Sequence, residues 1–332
     1  MFGFFTISGY LITASRFANP LGRYLVLRVA RIYPAFVVCL LVTAAVFGPI
    51  AWAAEGRDWS GFLTTPTTPP AYVLENLALR INAYDVAGTP SAVPYPGAWN
   101  GSLWTLYFEF LCYLLVGLLV CLRLVRRHPW LLGLAFAMSV LAWATVDAWA
   151  PGAYPDVVLL ARLLPAFLGG ALVHVAIRRR PLRTPVALTA IALAGALVVT
   201  VDQWGAQLAS PLIAYALLWL STVLPSPAVA RRHDISYGVY IYAFPVQQLL
   251  VYAGAHRLGL VGYDVLAALV TAAVAVVSWR LVERPALQWA RHRFRSAAPV
   301  SGPTDRVVEQ PARRLPLSPR DDAGQQAQGV RP

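Results

Sequence analysis

The chain reads as an all-α protein, a polytopic bundle of transmembrane helices. Three observations predict this. The composition is 58% hydrophobic and 13% charged, with a mean hydropathy of +0.58, whereas soluble domains carry about 25% charged residues. Apolar runs approaching the roughly 20 residues that cross a bilayer recur along the whole chain. Arginine-rich connections alternate with mixed or acidic ones between those runs.

The runs lie at 2–14, 33–54, 99–122, 129–150, 156–177, 185–201, 208–224, 235–255 and 261–282. Most lack the polar face that a soluble helix would turn to water. One set of connections carries Arg16, Arg23, Arg28 and Arg31, then Arg123, Arg126 and Arg127, then Arg178, Arg179, Arg180 and Arg183, then Arg231 and Arg232, then Arg284, Arg291, Arg293 and Arg295. The other set carries Glu55, Arg57, Asp58, Glu75, Arg80 and Asp85, then Asp147 and Asp156, then Asp202, then Arg257 and Asp264. The positive-inside rule puts the arginine set in the cytoplasm of a multi-pass plasma-membrane protein. It also accounts for the net charge of +12, so nucleic acid is not an expected partner. With about nine spans and a cytoplasmic C-terminus, Met1 falls outside the cell, and no basic n-region or small-residue cleavage site makes the first run a signal peptide.

Residues 1–295 form one membrane domain on this reading. Residues 296–332 are rich in Pro, Arg, Gln, Ala and Asp without apolar periodicity, which predicts a disordered cytoplasmic tail. Cys39, Cys112 and Cys121 sit in apolar runs without metal-ligand spacing, so neither a disulfide nor a metal is expected. The 55–96 connection is long and holds Pro66, Pro69, Pro70, Pro90, Pro94 and Pro96. Such a loop is usually functional or disordered, and it is a candidate acceptor entrance.

The main chemical signal is Glu109, inside the run Trp104-Thr105-Leu106-Tyr107-Phe108-Glu109-Phe110-Leu111-Cys112-Tyr113. A carboxyl group in hydrocarbon costs about 3 kcal/mol on insertion scales, so it marks a functional site by default. Thr105, Cys112 and Tyr113 share its helix face. It either orients or deprotonates a reacting group, or pairs with an arginine to fix packing, with Arg162 the candidate partner. Ser8-Gly9 in Phe4-Phe5-Thr6-Ile7-Ser8-Gly9-Tyr10-Leu11-Ile12 allows close helix packing. Arg28 and Arg31 share one face before Tyr33-Pro34 and either clamp phosphates or flank the membrane. Pro34 then falls near the start of a span. Ser236 and Tyr240, with Gln247, lie along one side of the 235–255 run, and Glu283-Arg284-Pro285 reads as a helix stop.

Taken in order, these segments resemble the membrane-bound acyltransferase-3 family. Phe4 to Ile12 looks like its FFxxSGFLI segment and Arg28-Val29-Ala30-Arg31-Ile32-Tyr33-Pro34 like its RxxRIYP segment. Ser102-Leu103-Trp104-Thr105-Leu106-Tyr107-Phe108-Glu109 resembles SLWxLxxE, Ile235-Ser236-Tyr237-Gly238-Val239-Tyr240 resembles ISYxxY, and Val282-Glu283-Arg284-Pro285 resembles VExP. The resemblance implies a ten-helix O-acyltransferase that passes an acyl group, acetyl by default, from acyl-CoA to a hydroxyl of a carbohydrate or glycolipid acceptor. It needs no metal or organic cofactor. It makes Glu109 catalytic and Arg28 and Arg31 donor contacts or gate residues, with Ser8, Trp104, Tyr113, Ser236 and Tyr240 lining the substrate site.

The family's first helix carries an Arg and, about ten residues later, a His taken as the base that acyl transfer requires. Met1 aligns with the start of the second helix, so the sequence is expected to lack the first. His128, His233 and His292 fall in basic segments and His256 ends an exterior turn, which leaves His174 as the nearest substitute. A non-catalytic or transporter-like relative is the rival expectation.

Overall fold

The computed structural model describes residues 2–149, 151–152, 154–178, 181–225 and 234–295. Arg179, Arg180, Arg231, Arg232, His233 and the expected tail at 296–332 lie outside the described residues. Among the described residues the fold is helical, apart from one isolated bridge between Val86 and Thr89. Each predicted apolar run holds a helix.

In chain order the main helices are α1 Phe2–Ala18, α2 Leu21–Ala54, α3 Pro69–Asn76, α4 Thr105–Leu119 and α5 Leu131–Ala144. They continue with α6 Pro155–Ile177, α7 Thr184–Thr200, α8 Ser210–Val223, α9 Ser236–Tyr252 and α10 Gly259–Ser278. The last runs on through a π-turn, Trp279–Glu283, into α11 Arg284–Arg295. Three rods, Leu21–Ala54, Pro155–Ile177 and Ala255–Phe294, are long and apolar enough to cross a membrane. The other apolar helices are shorter.

Two expectations are corrected at helix ends. The arginine segment before Tyr33 is not a loop but part of α2, a continuous rod of 34 residues. At about 1.5 Å per residue it outreaches a hydrocarbon core of about 30 Å, so its basic first turns extend past the apolar zone. Pro34 is consequently interior to the helix rather than at its start. Glu283-Arg284-Pro285 does not end a helix either, since α11 continues to Arg295. The reason is the π-turn. A proline leaves the carbonyl four residues earlier without its donor, and for Pro285 that residue is Leu281, within the π-turn Trp279–Glu283. The same device precedes Pro49, whose corresponding residue, Ala45, lies within the π-turn Thr43–Phe47 of α2. The wider turn absorbs the mismatch and the rod continues.

α1 and α6 meet backbone to backbone. A Cβ on Gly9 would come within 1.9 Å of the Phe167 carbonyl oxygen, and one on Gly170 within 1.9 Å of that of Thr6. Only glycine fits at either position, as the close-packing reading of Ser8-Gly9 anticipates. α4 lies against this pair, and Arg16 ties α1 to α4. Expected in a cytoplasmic connection, Arg16 is instead 1% exposed. It donates to the carbonyls of Gly117 (3.0 Å) and Asn19 (2.9 Å), which compensates its buried charge.

The 55–104 connection is folded. Asn76, fully buried, accepts from the backbone N–H of Asn82 (2.8 Å) and Ala83 (3.1 Å) and donates to the Ala83 carbonyl (2.7 Å). Trp99 is fully buried and donates to Thr89 Oγ1 at 3.2 Å. Gln248 of α9 donates to the carbonyls of Tyr95 (2.7 Å) and Ala98 (2.9 Å). A segment so pinned is a rigid cover over one end of the bundle.

Candidate active site

Glu109 sits one turn into α4 and is 3% exposed. Two hydroxyls hold it. Ser8 Oγ of α1 donates to Oε1 at 2.8 Å, and Tyr113 OH, one turn further along α4, donates to the same oxygen at 2.5 Å. Both bonds end on Oε1, which leaves Oε2 to hold another group. Tyr113 is itself fixed, because Tyr24 of α2 donates to its carbonyl at 2.8 Å. The charges of Arg28 and Arg31 act on the Glu109 carboxyl without pairing with it directly. Arg162 is exposed. The expected Arg162 partnership therefore gives way to hydroxyls, because Arg162 points out of the bundle while Ser8 points in.

Tyr240 of α9 closes the other end of this cluster. It shares a 2.6 Å hydrogen bond with Thr105, donates to the Ser102 carbonyl, and stacks on Phe4 with ring centroids 5.5 Å apart. Ser8 and Tyr240, far apart in sequence, thus meet Glu109 and Tyr113 around the first turns of α4. Trp104 stands at the head of that helix, edge-on to Phe108. The Ser102 hydroxyl beside it is buried without a hydrogen-bond partner.

Arg31 and Ser236 do not join this group. Arg31 bridges Asp234 at 2.8 Å and Glu283 at 3.3 Å, contacts Ser236 Oγ at 3.4 Å, and lies over the rings of Tyr237 and Trp279. It links α2, the start of α9 and the π-turn after α10. Arg28, one turn earlier, is half-buried, with Nε lacking a hydrogen-bond partner. Nothing in the local sequence separates these two arginines. Their difference arises from Asp234 and Glu283, which are remote in the chain. Asp234 carries no signal in the sequence, and Glu283 appears there only as part of a helix stop and of the VExP-like segment.

His174 of α6 packs between Tyr10 and Phe17 of α1, with ring centroids 5.3 and 6.1 Å away, and its Nδ1 is buried without a partner. Its neighbours are thus the aromatic face of α1, apart from the Ser8–Glu109 bond. His128, His256 and His292 are exposed. Cys39, Cys112 and Cys121 are free.

The family model described as an acyltransferase domain, of the acyltransferase-3 type, matches residues 1–280. The chain belongs to the acyltransferase-3 family. It is 29% identical over 290 residues to a protein named O-acetyl transferase from Shigella phage Sf6, covering 85% of this chain and 82% of that one. It is 28% identical over 314 residues to Nodulation protein 10 of Rhizobium leguminosarum bv. viciae, covering 86% and 81% respectively. No solved structure matches. As a member of the acyltransferase-3 family the chain is an O-acyltransferase, acting on groups other than aminoacyl groups, and its apolar helices are those of a membrane protein.

Proposed function

We propose that the protein transfers a small acyl group, acetyl by default, from acyl-CoA to a hydroxyl of a carbohydrate or glycolipid acceptor in the plasma membrane. The observation that carries this reading is the buried Glu109 carboxylate, held by Ser8 and Tyr113 through one oxygen only. In the reaction an acceptor oxygen bonds to the acyl carbon and the carbon–sulfur bond of the thioester breaks. The proton of the attacking hydroxyl leaves, and one is delivered to the departing CoA sulfur. Glu109 is the catalytic group: its Oε2 takes the proton of the attacking hydroxyl and returns it to the departing CoA sulfur, which leaves as the thiol. Ser8 and Tyr113 keep the carboxylate oriented and stabilise its charge.

The arginine-rich end of the bundle is the cytoplasmic one, which is the side that supplies acyl-CoA. Arg28 supports donor binding: it lies one turn before Arg31, half-buried at the arginine-rich end, where a guanidinium offers charge-assisted bonds to a phosphate. Arg31, already committed to two carboxylates, serves as the gate latch between α2, α9 and the π-turn after α10. Trp104 and Tyr240 flank the way to Glu109 from the acceptor side.

The test is acceptor-dependent release of CoA from acetyl-CoA by purified protein in nanodiscs, with the host cell's de-acetylated envelope polysaccharide as acceptor. Wild-type protein should consume acetyl-CoA and O-acetylate the glycan, and Glu109→Gln should lose at least about a hundredfold in rate with an unchanged melting temperature. A Glu109→Gln variant with the wild-type rate would overturn the assignment.

A further inference from the structure

Above the first turn of α4 lies a cavity of about 450 Å³, lined among others by Arg80, Asn82, Tyr84, Trp104, Tyr107 and Asp156. That size falls in the range of small-molecule sites. Three stretches converge on it: the folded 55–104 connection, the head of α4 and the start of α6. Its aromatic wall is built in advance. Trp104 and Tyr107 each meet Phe108 nearly edge-on, at 5.8 Å and 75° and at 5.3 Å and 77°. Its polar wall is a salt bridge, Arg80 to Asp156 at 3.0 Å, with both side chains still partly exposed (55% and 34%). Asn82 stands beside them, its amide tied to the Glu75 carbonyl at 2.9 Å.

We infer that this cavity is a subsite for one neutral sugar ring of the acceptor, an inference that rests on the glycan-acceptor reading above. The C–H face of a sugar ring needs a flat apolar partner, which the Trp104 and Tyr107 rings supply. Its adjacent hydroxyls need donors and acceptors side by side, which a guanidinium next to a carboxylate supplies. The pair is neutral as a unit, so an acidic sugar would compete with Asp156 for Arg80 and gain little. Trp104 precedes Glu109 by five residues, about 7.5 Å along the helix and about 140° around it, so the subsite would hold a ring beside the reacting one, not the reacting ring itself.

Binding is read without turnover, by saturation-transfer difference NMR on full-length protein in nanodiscs. The probes are oligosaccharides released from the host cell's envelope polysaccharide, with tetragalacturonate as the acidic comparison. Wild-type protein should saturate ring protons of the neutral probe, and Trp104→Ala should weaken its binding at least tenfold, whereas Trp104→Phe keeps it. Asp156→Asn should raise binding of tetragalacturonate by freeing Arg80. No saturation with wild-type protein, or equal affinity in Trp104→Ala, would overturn the subsite. Failure of the acyltransfer reading would appear separately, as an absence of acetyl transfer by a protein that still binds the neutral probe.

Discussion

Two glutamates are buried in this bundle to the same degree, Glu109 at 3% exposure and Glu283 at 1%, and their surroundings are opposite. Glu283 faces an arginine, with Arg31 at 3.3 Å and Ser278 Oγ at 3.1 Å. Glu109 faces hydroxyls, Ser8 and Tyr113, both on one oxygen. A carboxylate locked to a guanidinium spends its charge on holding helices together. One held by neutral donors on a single oxygen keeps the other oxygen open for a passing group. Burial alone therefore does not identify a reactive carboxylate; the identity of its partners does.

The first way to break the comparison is to neutralise each glutamate. Glu109→Gln should cost two to four orders of magnitude in acetyl transfer, the usual range for a proton-handling group, with little change in thermal stability in detergent. Glu283→Gln should do the reverse. Breaking a fully buried ion pair costs about 3–5 kcal/mol, and less is expected here because Asp234 still engages Arg31. Its melting temperature should fall while transfer per folded molecule stays within a few-fold of wild type. Equal loss of activity in both variants would show that the distinction drawn from their partners is wrong.

The same contrast divides the two arginines, with a smaller expected effect. Arg28→Gln should raise the KM for acyl-CoA about ten- to a hundredfold, the worth of one charge-assisted hydrogen bond, and leave the melting temperature unchanged. Arg31→Gln should lower the melting temperature, and Arg31→Lys should not rescue it, because a point charge cannot satisfy two carboxylates and lie flat between two rings. A pure KM effect at Arg31 would reassign it to the donor site.

These particulars show what was legible in the sequence. The helices were, because hydropathy and charge alternation are local properties that a bilayer enforces. Glu109 was, because a carboxylate in an apolar run stands out against its neighbours. Ser8 was placed in the substrate site only by resemblance, and the pattern around it argued for packing. The structure shows the packing, with Gly9 at its close approach to Phe167, and adds a bond from Ser8 to Glu109. What was not legible depended on pairs remote in the chain: Arg31 with Glu283, Tyr240 with Thr105, and Tyr24 with the Tyr113 carbonyl. Helix ends were misread at Pro34 and Pro285 because proline is a local signal, whereas the π-turn at Trp279–Glu283 and the length of α2 are properties of the assembled rods.

A third glutamate sharpens the comparison with the smallest effect. Glu55, at the end of α2, anchors the folded connection rather than the helices. Its Oε1 accepts from Tyr252 OH and from the Ser91 backbone N–H at 2.7 Å, and its other oxygen meets Arg57 at 2.7 Å. Burial pushes this carboxyl up, but the bonds from Tyr252 and Ser91, with the Arg57 charge, outweigh it and hold the group below its ordinary value of 4.5. A carboxylate with a lowered folded pKa stabilises the fold above its unfolded value, and that contribution is lost as pH falls through the lower folded value. The connection should therefore be firm at neutral pH and loosen in acid below about pH 4.5. Limited proteolysis of the 55–104 segment, followed from neutral to acidic pH with an acid-active protease, reads this directly. Wild-type protein should become cleavable as the pH drops. Glu55→Gln, which keeps the shape but not the charge, should be more cleavable at neutral pH and change less with acid. An identical acid profile in the two proteins would remove Glu55 as the anchor and leave the Gln248 and Asn76 bonds to hold the cover alone.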